Sequence, residues 1–405
     1  MTVWFEVEDL LRYFETLSQP TGIQRVSLEL MTAAARRYPN SVGFCRLSWR
    51  TGRLEQTSLA SIEAEQTHPS TWQGRLLRWT EKTAGMRIHD VLVRRTSERS
   101  FKPALKGGDV MVCLGSPMRD RHYARSVASA KQRHGLKYAL LVHDILPIVE
   151  PALFEQRLVT EFDAFFRNVL EVSDLLFTSS LQTRNELNTI GRNRGWRLPA
   201  VQRVRFGDGF GKQVREVSDH SAALPERFVL YVATLEVRKN HRALVQVWRR
   251  LVQRYGAARI PTLLLVGRRG WLVDDLMAEL EAITAVDGKI VHREGLPDHI
   301  LSEVYRQCLF TVYPSLSEGW GLPVAESLAA GKYCIASNRA SLPEVGGRFV
   351  DYCDPTDVDA WYVAIDRALR EPDYVRTREQ QIATHYRAAR WEDCIDTIIA
   401  AAASL

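Results

Sequence analysis

Short apolar runs alternate with longer stretches of helical periodicity along most of the chain. The runs VWFEV (3–7), VGFCRLSW (42–49), DVMVCLG (109–115), YALLVHD (138–144) and LLFTSS (175–180) predict a first series of strands. A second series follows in RFVLYVAT (227–234), TLLLVG (262–267), KIVHR (289–293), LFTVYPS (309–315) and YCIASN (333–338). Helical patterns fill the spaces at 22–37, 158–171, 181–190, 240–254, 272–285, 297–307 and 323–330. Nearly continuous apolar strands separated by helices predict parallel sheets covered on both faces. The fold class expected is α/β, with two Rossmann-like doubly wound domains facing a central cleft. The junction falls near 206–225, where FGDGFGKQVREVSDHSAALPE is rich in glycine, charge and small polar residues. This gives domains at 1–210 and 211–388, and a terminal helix at 389–405 packing back toward the first domain. In open parallel sheets ligands bind beyond the carboxyl ends of the strands, so the loops that follow strands are where chemistry is expected.

One such loop stands out. In PSLSEGWGLPVAESLAAGK (314–332) a strand runs into a glycine-containing turn and then into a helix. Pro323 suits the first helical position and Gly331 the C-terminal cap. Unpartnered N–H groups at a helix start, and the helix dipole, favour an anion there. Gly319 and Gly321 permit close approach of a ligand to the backbone. Glu326 lies one turn into the helix and leans back toward its start, while Glu318 faces the same pocket from the loop. Both acids would repel a diphosphate, but a carboxylate is an acceptor suited to sugar or ribose hydroxyls. Arg238 and Lys239, just before a helix start at Asn240, are candidate cations for the anion.

Composition narrows the rest. The chain has 405 residues, enough for two or three domains, with 45% hydrophobic and 25% charged residues, ordinary for a globular protein. No apolar run approaches the length of a spanning helix, and MTVWFEVEDLL does not read as a signal peptide, so a cytoplasmic location is expected. The six cysteines are scattered and read as buried free thiols. The formal charge is +6, and the stretch from Arg75 to Lys106 carries nine Lys/Arg against three acids. With Leu76, Leu77, Trp79 and Ile88 interleaved, that segment reads either as contact with an anionic membrane surface or as a solvated insertion. The adjacent acids Asp274 and Asp275 read as the head of a helix rather than a metal site.

The E-x7-E arrangement from Glu318 to Glu326 resembles the retaining glycosyltransferases of family 4, which have the two-domain GT-B fold. LYVATLEVRKN, LLLVGRRGW, EGLPDHILSEVYRQ and ASNRASLPEVGG support it in the expected order. The resemblance covers almost all of 225–385. It continues more thinly through PTGIQRV (20–26), VCLGSP (112–117), VHDILP (142–147) and TSSLQTRNEL (178–187), and is poorest over 50–108. It implies a nucleoside diphosphate sugar held mainly by the second domain and an acceptor held mainly by the first. Carried over, Glu326 holds the ribose hydroxyls and Glu318 lies by the donor sugar. Gly319, Gly321 and Leu322 border the diphosphate, which Arg238 and Lys239 neutralise, and Gly295 and Leu296 border the base. His143 falls close to the reaction centre and Gly22 near the diphosphate or the acceptor, where Arg25 could reach an anion; Arg25 and Asp144 fall on the acceptor side. Ala233–Thr234 departs from the Gly-Arg or Gly-Thr of many relatives. That places more weight on Arg238 and Lys239, or on Arg268 and Arg269.

What the resemblance implies is metal-independent transfer of a glycosyl group, with retention, to a hydroxyl of a glycan or lipid-linked oligosaccharide. No cofactor and no nucleic acid enter this reading. Relatives with the T-G-I-Q-R-V and V-H-D-I-L-P stretches build bacterial surface polysaccharide, which makes a GDP-mannose or GDP-deoxyhexose donor the first expectation. A basic segment at the inner face of the membrane would suit such an enzyme. The competing expectation is a non-catalytic protein that binds a nucleotide sugar or an anionic surface, acting through 75–106.

Overall fold

The computed structural model describes residues 1–15, 17, 20, 22–48, 52–67, 105–209, 224–286 and 288–405. The basic segment lies outside the described residues except for Leu105 and Lys106, as do Thr21 and most of the expected junction. Two α/β lobes account for the remainder.

The first lobe is built on a seven-stranded sheet of β1 (Val3–Glu6), β2 (Val42–Leu47), β3 (Leu54–Thr57), β4 (Val110–Cys113), β5 (Lys137–Val142), β6 (Leu175–Thr178) and β7 (Ala200–Arg203), in the order β3-β2-β1-β4-β5-β6-β7. The second holds β8 (Phe228–Val232), β9 (Thr262–Val266), β10 (Ile290–Arg293), β11 (Thr311–Tyr313), β12 (Cys334–Ser337) and β13 (Asp351–Cys353), ordered β10-β9-β8-β11-β12-β13. All pairs are parallel except β2–β3, where Phe44 faces Thr57 and Leu47 faces Leu54. That antiparallel edge departs from the all-parallel expectation. The strands with continuous apolar runs are central: β4, β6 and β9 are buried at every position, as burial on both faces requires. The three strands not expected, β3 (LEQT), β7 (AVQR) and β13 (DYC), end their sheets. An edge strand covered on one side only carries polar residues and leaves no apolar run in the sequence.

In each sheet the chain winds outward from the middle and then reverses, between β1 and β4 in one lobe and between β8 and β11 in the other. The loops after β8 and β11 therefore diverge from one crevice, the place where such sheets bind ligands.

The lobes are joined by two crossings. The chain leaves the first lobe through 204–209 and returns at 386–390 to the helix Trp391–Ala402. That helix packs on the helix Gly22–Arg37 of the first lobe, and Asp396 accepts hydrogen bonds from Arg37 Nε (2.5 Å) and the Tyr38 hydroxyl (2.7 Å). Asp208 binds the crossings together. Its amide donates to Ala389 O (2.9 Å), and its Oδ2 accepts from Ala389 N (2.8 Å) and the Tyr386 hydroxyl (2.6 Å). Phe206 packs between Trp320 and Trp391, with ring centroids 5.9 and 6.1 Å apart. All six cysteines are buried free thiols. Among the described residues no helix is long and apolar enough to cross a membrane.

One group ties this fold to pH. Glu6, at the carboxyl end of β1, is fully buried; its Oε1 accepts from the amides of Glu8 (2.9 Å) and Leu47 (3.1 Å). Burial, reinforced by nearby Asp9, pushes its pKa up to about 8. The folded protein thus holds a proton there that the unfolded chain releases near 4.5. The resulting stability is full below 4.5 and is lost as pH rises through 8. His143 and His241 are depressed by burial, so the protons they bind only in the unfolded chain are still being lost just above 6.5 and oppose the decline there. Between pH 7 and 8 the expected net decline is therefore below about 1.4 kcal/mol per pH unit, the full slope of one proton. Glu6→Gln is expected to remove it, as read by urea unfolding across that range. Parallel curves for the two proteins would show that Glu6 is not the group responsible.

Candidate functional site

The crevice of the second lobe faces the first lobe across a cavity of about 480 Å³. Its walls come from the loop and helix starting at Gly22, the turn after β5 at His143 and Asp144, and the loops after β8, β9, β10 and β11.

The turn after β11 has the form expected from its sequence. The helix Leu322–Ala329 begins after Gly321, whose φ of 111° is open to glycine and whose added Cβ would meet Leu342 Cδ2 at 2.5 Å. Pro323 sits in the first turn and Gly331, with φ 75°, follows the end. Gly321, Leu322 and Pro323 at this helix start line the cavity, and a helix start suits an anion.

Glu318, 6% exposed, is the hub of the second lobe's wall of the cavity. Its Oε2 accepts from Arg238 Nη1 (2.8 Å), and its Oε1 accepts from Lys239 Nζ (2.5 Å), the Ser315 hydroxyl (2.5 Å) and the Tyr313 hydroxyl (2.9 Å). Arg238 also donates to Glu236 Oε1 (2.6 Å) and to Ser317 O (2.7 Å). Burial opposes charge on Glu318, but Arg238, Lys239 and the hydroxyls overcome it and hold the carboxyl down at about 2. Burial and the neighbouring Arg238 push Lys239 below its ordinary range, while Glu318 holds it as an ammonium. Two cations and two carboxylates thus form one compact cluster, with Arg238 and Lys239 already facing anions of the protein itself.

Glu326, 2% exposed, lies one turn further along. The Tyr305 hydroxyl donates to its Oε2 (2.8 Å), and Arg25 of the first lobe donates to its Oε1. Arg25 Nη1 is also 3.7 Å from Asp298 Oδ1. The sequence placed Arg25 on the acceptor side; the structure puts its guanidinium on Glu326. Gly295, with φ 70°, and Leu296 line the cavity beside these groups.

The facing lobe supplies His143, whose Nε2 lies 2.8 Å from Leu114 O. A carbonyl only accepts, so Nε2 carries a proton, which leaves Nδ1 as the acceptor when the ring is neutral. Burial pushes its pKa below the ordinary value and agrees with that state. The Asp144 carboxylate accepts from Leu146 N (3.1 Å). Ser179 clamps the lobes together, its hydroxyl lying 3.0 Å from His143 O and 3.2 Å from Gly319 O. It belongs to the start of the helix Leu181–Arg194, which Ser180 caps by accepting from Thr183 N (3.0 Å).

Of the alternative cations, Arg268 lines the cavity and donates to the Tyr13 hydroxyl (2.9 Å), whereas Arg269 is turned outward onto Asp274. Asp274 and Asp275 are exposed in the first turn of the helix Asp274–Val286, paired with Arg269 and Arg242. The sequence reading gave no role to Glu236, Tyr305, Asp298, Tyr313 or Ser179. Glu236 and Tyr305 lay inside motifs already singled out, LEVRKN and EVYRQ, so position alone could have raised them.

The chain was compared with known proteins. Residues 215–387 match the family described as Glycosyl transferases group 1. Over 265 residues the chain is 29% identical to the O-antigen chain mannosyltransferase B of Escherichia coli, covering 64% of this chain and 69% of that protein. It is 27% identical over 254 residues to the serotype-specific mannosyltransferase WbdA of the same organism, spanning 59% of this chain but only 30% of WbdA. The structure of Anabaena Alr3699/HepE in complex with UDP and glucose superposes over the full length of both chains with a TM-score of 0.64 at 14% identity, a likeness of fold. The two lobes are those of the GT-B fold.

Proposed function

We propose, for a chain that over residues 215–387 belongs to the group 1 glycosyl transferases, that the cleft moves a hexosyl group from a nucleoside diphosphate sugar to a hydroxyl of a glycan or lipid-linked acceptor, retaining the anomeric configuration. Mannose or a related deoxyhexose carried by GDP is the first donor to test, because E. coli O-antigen mannosyltransferases are among the relatives. UDP-hexoses come next, since UDP and glucose are the ligands named for HepE. The setting is surface polysaccharide synthesis at the cytoplasmic side of a membrane, with the 75–106 segment as a peripheral contact.

The observation that carries this reading is the Glu318–Arg238–Lys239 cluster beside the Leu322 helix start, at the point where the strand order reverses. In transfer, the bond from the anomeric carbon to the phosphate oxygen breaks and its electron pair leaves with the nucleoside diphosphate. The acceptor oxygen bonds to the same face of the carbon, and its proton passes to the departing phosphate oxygen. The helix start, Arg238 and Lys239 stabilise the charge that builds on that phosphate. Glu318 is held ionised by four donors, so it is neither a proton donor nor an unencumbered nucleophile. Its remaining acceptor capacity suits the donor-sugar hydroxyls, and Glu326 suits the ribose. The neutral His143 presents its ring to the reaction centre, with Asp144 on the acceptor side. In this chemistry no metal ion or organic cofactor takes part.

The test is thermal unfolding with GDP, UDP, dTDP and CDP in turn, followed by product analysis with the matching sugar nucleotide. The correct nucleotide at 100 times its dissociation constant is expected to add about 2.7 kcal/mol. An α-linked product from an α-linked donor, read by NMR, supports retention. If none of the four shifts the melting temperature, the donor site is misassigned.

A further inference from the structure

Arg25 stands in the first turn of the helix Gly22–Arg37 in the first lobe, yet its guanidinium ends on Glu326 of the second. Its side chain, 12% exposed, lines the cavity, and it covers the Glu326 carboxylate, which is 2% exposed. With the Tyr305 hydroxyl on the other oxygen, both oxygens of the Glu326 carboxylate have a donor. This has a consequence for the nucleotide-sugar reading, on which the present inference rests. A ribose cannot place its hydroxyls on the cavity side of Glu326 while a guanidinium lies there.

Charge sharpens the conflict. Arg238 and Lys239 each face a carboxylate of the protein, so the charge they bring to an incoming diphosphate is partly offset and leaves room for a further cation. Arg25 is matched by Glu326 and, more distantly, Asp298. Ribose hydroxyls are neutral donors. When they replace Arg25 on Glu326, its guanidinium becomes available to a cavity that Gly22, Gly321 and Leu322 also line. The nearest use for it is the phosphate attached to that ribose, where a guanidinium can make paired hydrogen bonds.

We propose that Arg25 is a donor-binding residue that changes partner: it rests on Glu326 in the empty protein and moves to the donor phosphates in the loaded one. The exchange makes the two parts of the donor interdependent. The nucleoside has to displace Arg25, and the diphosphate recaptures it. A nucleoside alone meets the first demand without the second, so the site selects for the phosphorylated form. Because Arg25 belongs to the first lobe and the donor to the second, the exchange also carries the closing contact from protein to substrate.

The test is calorimetric titration of the native protein and Arg25→Gln with GDP, UDP, dTDP and CDP and with their nucleosides. For the diphosphate the native protein binds, Arg25→Gln is expected to weaken binding roughly tenfold, the loss of a charge-assisted contact. The matching nucleoside is expected to bind several-fold more tightly, because its competitor is gone. A change of the same sign for both, or no change in either, overturns the exchange. Binding of none of the four diphosphates by the native protein overturns the nucleotide-sugar reading itself, and this inference with it. Should Arg25→Gln fail to fold, a crystal structure of the native protein with the bound diphosphate decides. Arg25 on phosphate oxygen supports the proposal, and Arg25 still on Glu326 overturns it.

Discussion

Glu318→Ala is expected to lower unfolding stability by about 3–5 kcal/mol, the effect of stranding buried charge, and to abolish transfer. Removing the carboxylate leaves Lys239, 8% exposed, without its anionic partner, and leaves Arg238 with Glu236 alone. The Tyr313 hydroxyl loses its acceptor as well, while Ser315 keeps only the longer contact to Arg238 O. Glu318→Gln keeps the volume but not the charge, so it is expected to recover packing while leaving the cations uncompensated. The acid limb of stability gives a second reading. With its carboxyl at about 2 against 4.5 unfolded, Glu318 contributes stability that is full above 4.5 and lost as pH falls through 2. Urea unfolding at pH 7 and pH 3 checks both points. If Glu318→Ala unfolds within 1 kcal/mol of the native protein at pH 7, the cluster is not what holds this wall together.

Gly319→Ala is expected to reduce kcat/KM about a hundredfold or more, the scale on which small misplacements act, while both lobes remain folded. A Cβ on Gly319 would stand 2.3 Å from His143 O and 2.7 Å from Asp144 Cβ, across the gap between lobes. The nearest obstacle is backbone, which cannot turn aside as a flexible side chain can. The strain is relieved by opening the cleft, which also parts the Ser179 hydroxyl from Gly319 O. Small-angle scattering is expected to show a larger radius of gyration, with circular dichroism unchanged. Native turnover together with native dimensions would mean that the close approach is not needed for the reaction.

How legible these features were depended on the distance over which each is encoded. Central strands such as VMVC and TLLLV announce themselves, because burial on both faces demands an unbroken apolar run. Edge strands such as AVQR do not. Glu318 and Glu326 could be read as a pair because one turn and one helix hold them eight positions apart. The partners of those acids were less visible. Arg25 and Glu326 are 301 residues apart, and nothing local to PTGIQRV says which carboxylate that guanidinium will meet. Likewise Arg238 and Lys239 were recognisable as cations near an anion site, but their engagement with Glu318 required β8 and β11 to be neighbours. Sequence separation, not unusual chemistry, set the limit.

The helix Trp391–Ala402 gives the molecule a particular history during synthesis. The surface it covers on the helix Gly22–Arg37 belongs to the lobe that emerges from the ribosome first, yet Arg37 and its partner Asp396 are 359 residues apart. At ordinary elongation rates that separation is about 20–70 s of translation. For that interval the first lobe exists without the cover that the helix Trp391–Ala402 gives its helix Gly22–Arg37. Chaperone occupancy of nascent chains is therefore expected to be concentrated before this helix is made, and the first lobe is finished only after the second.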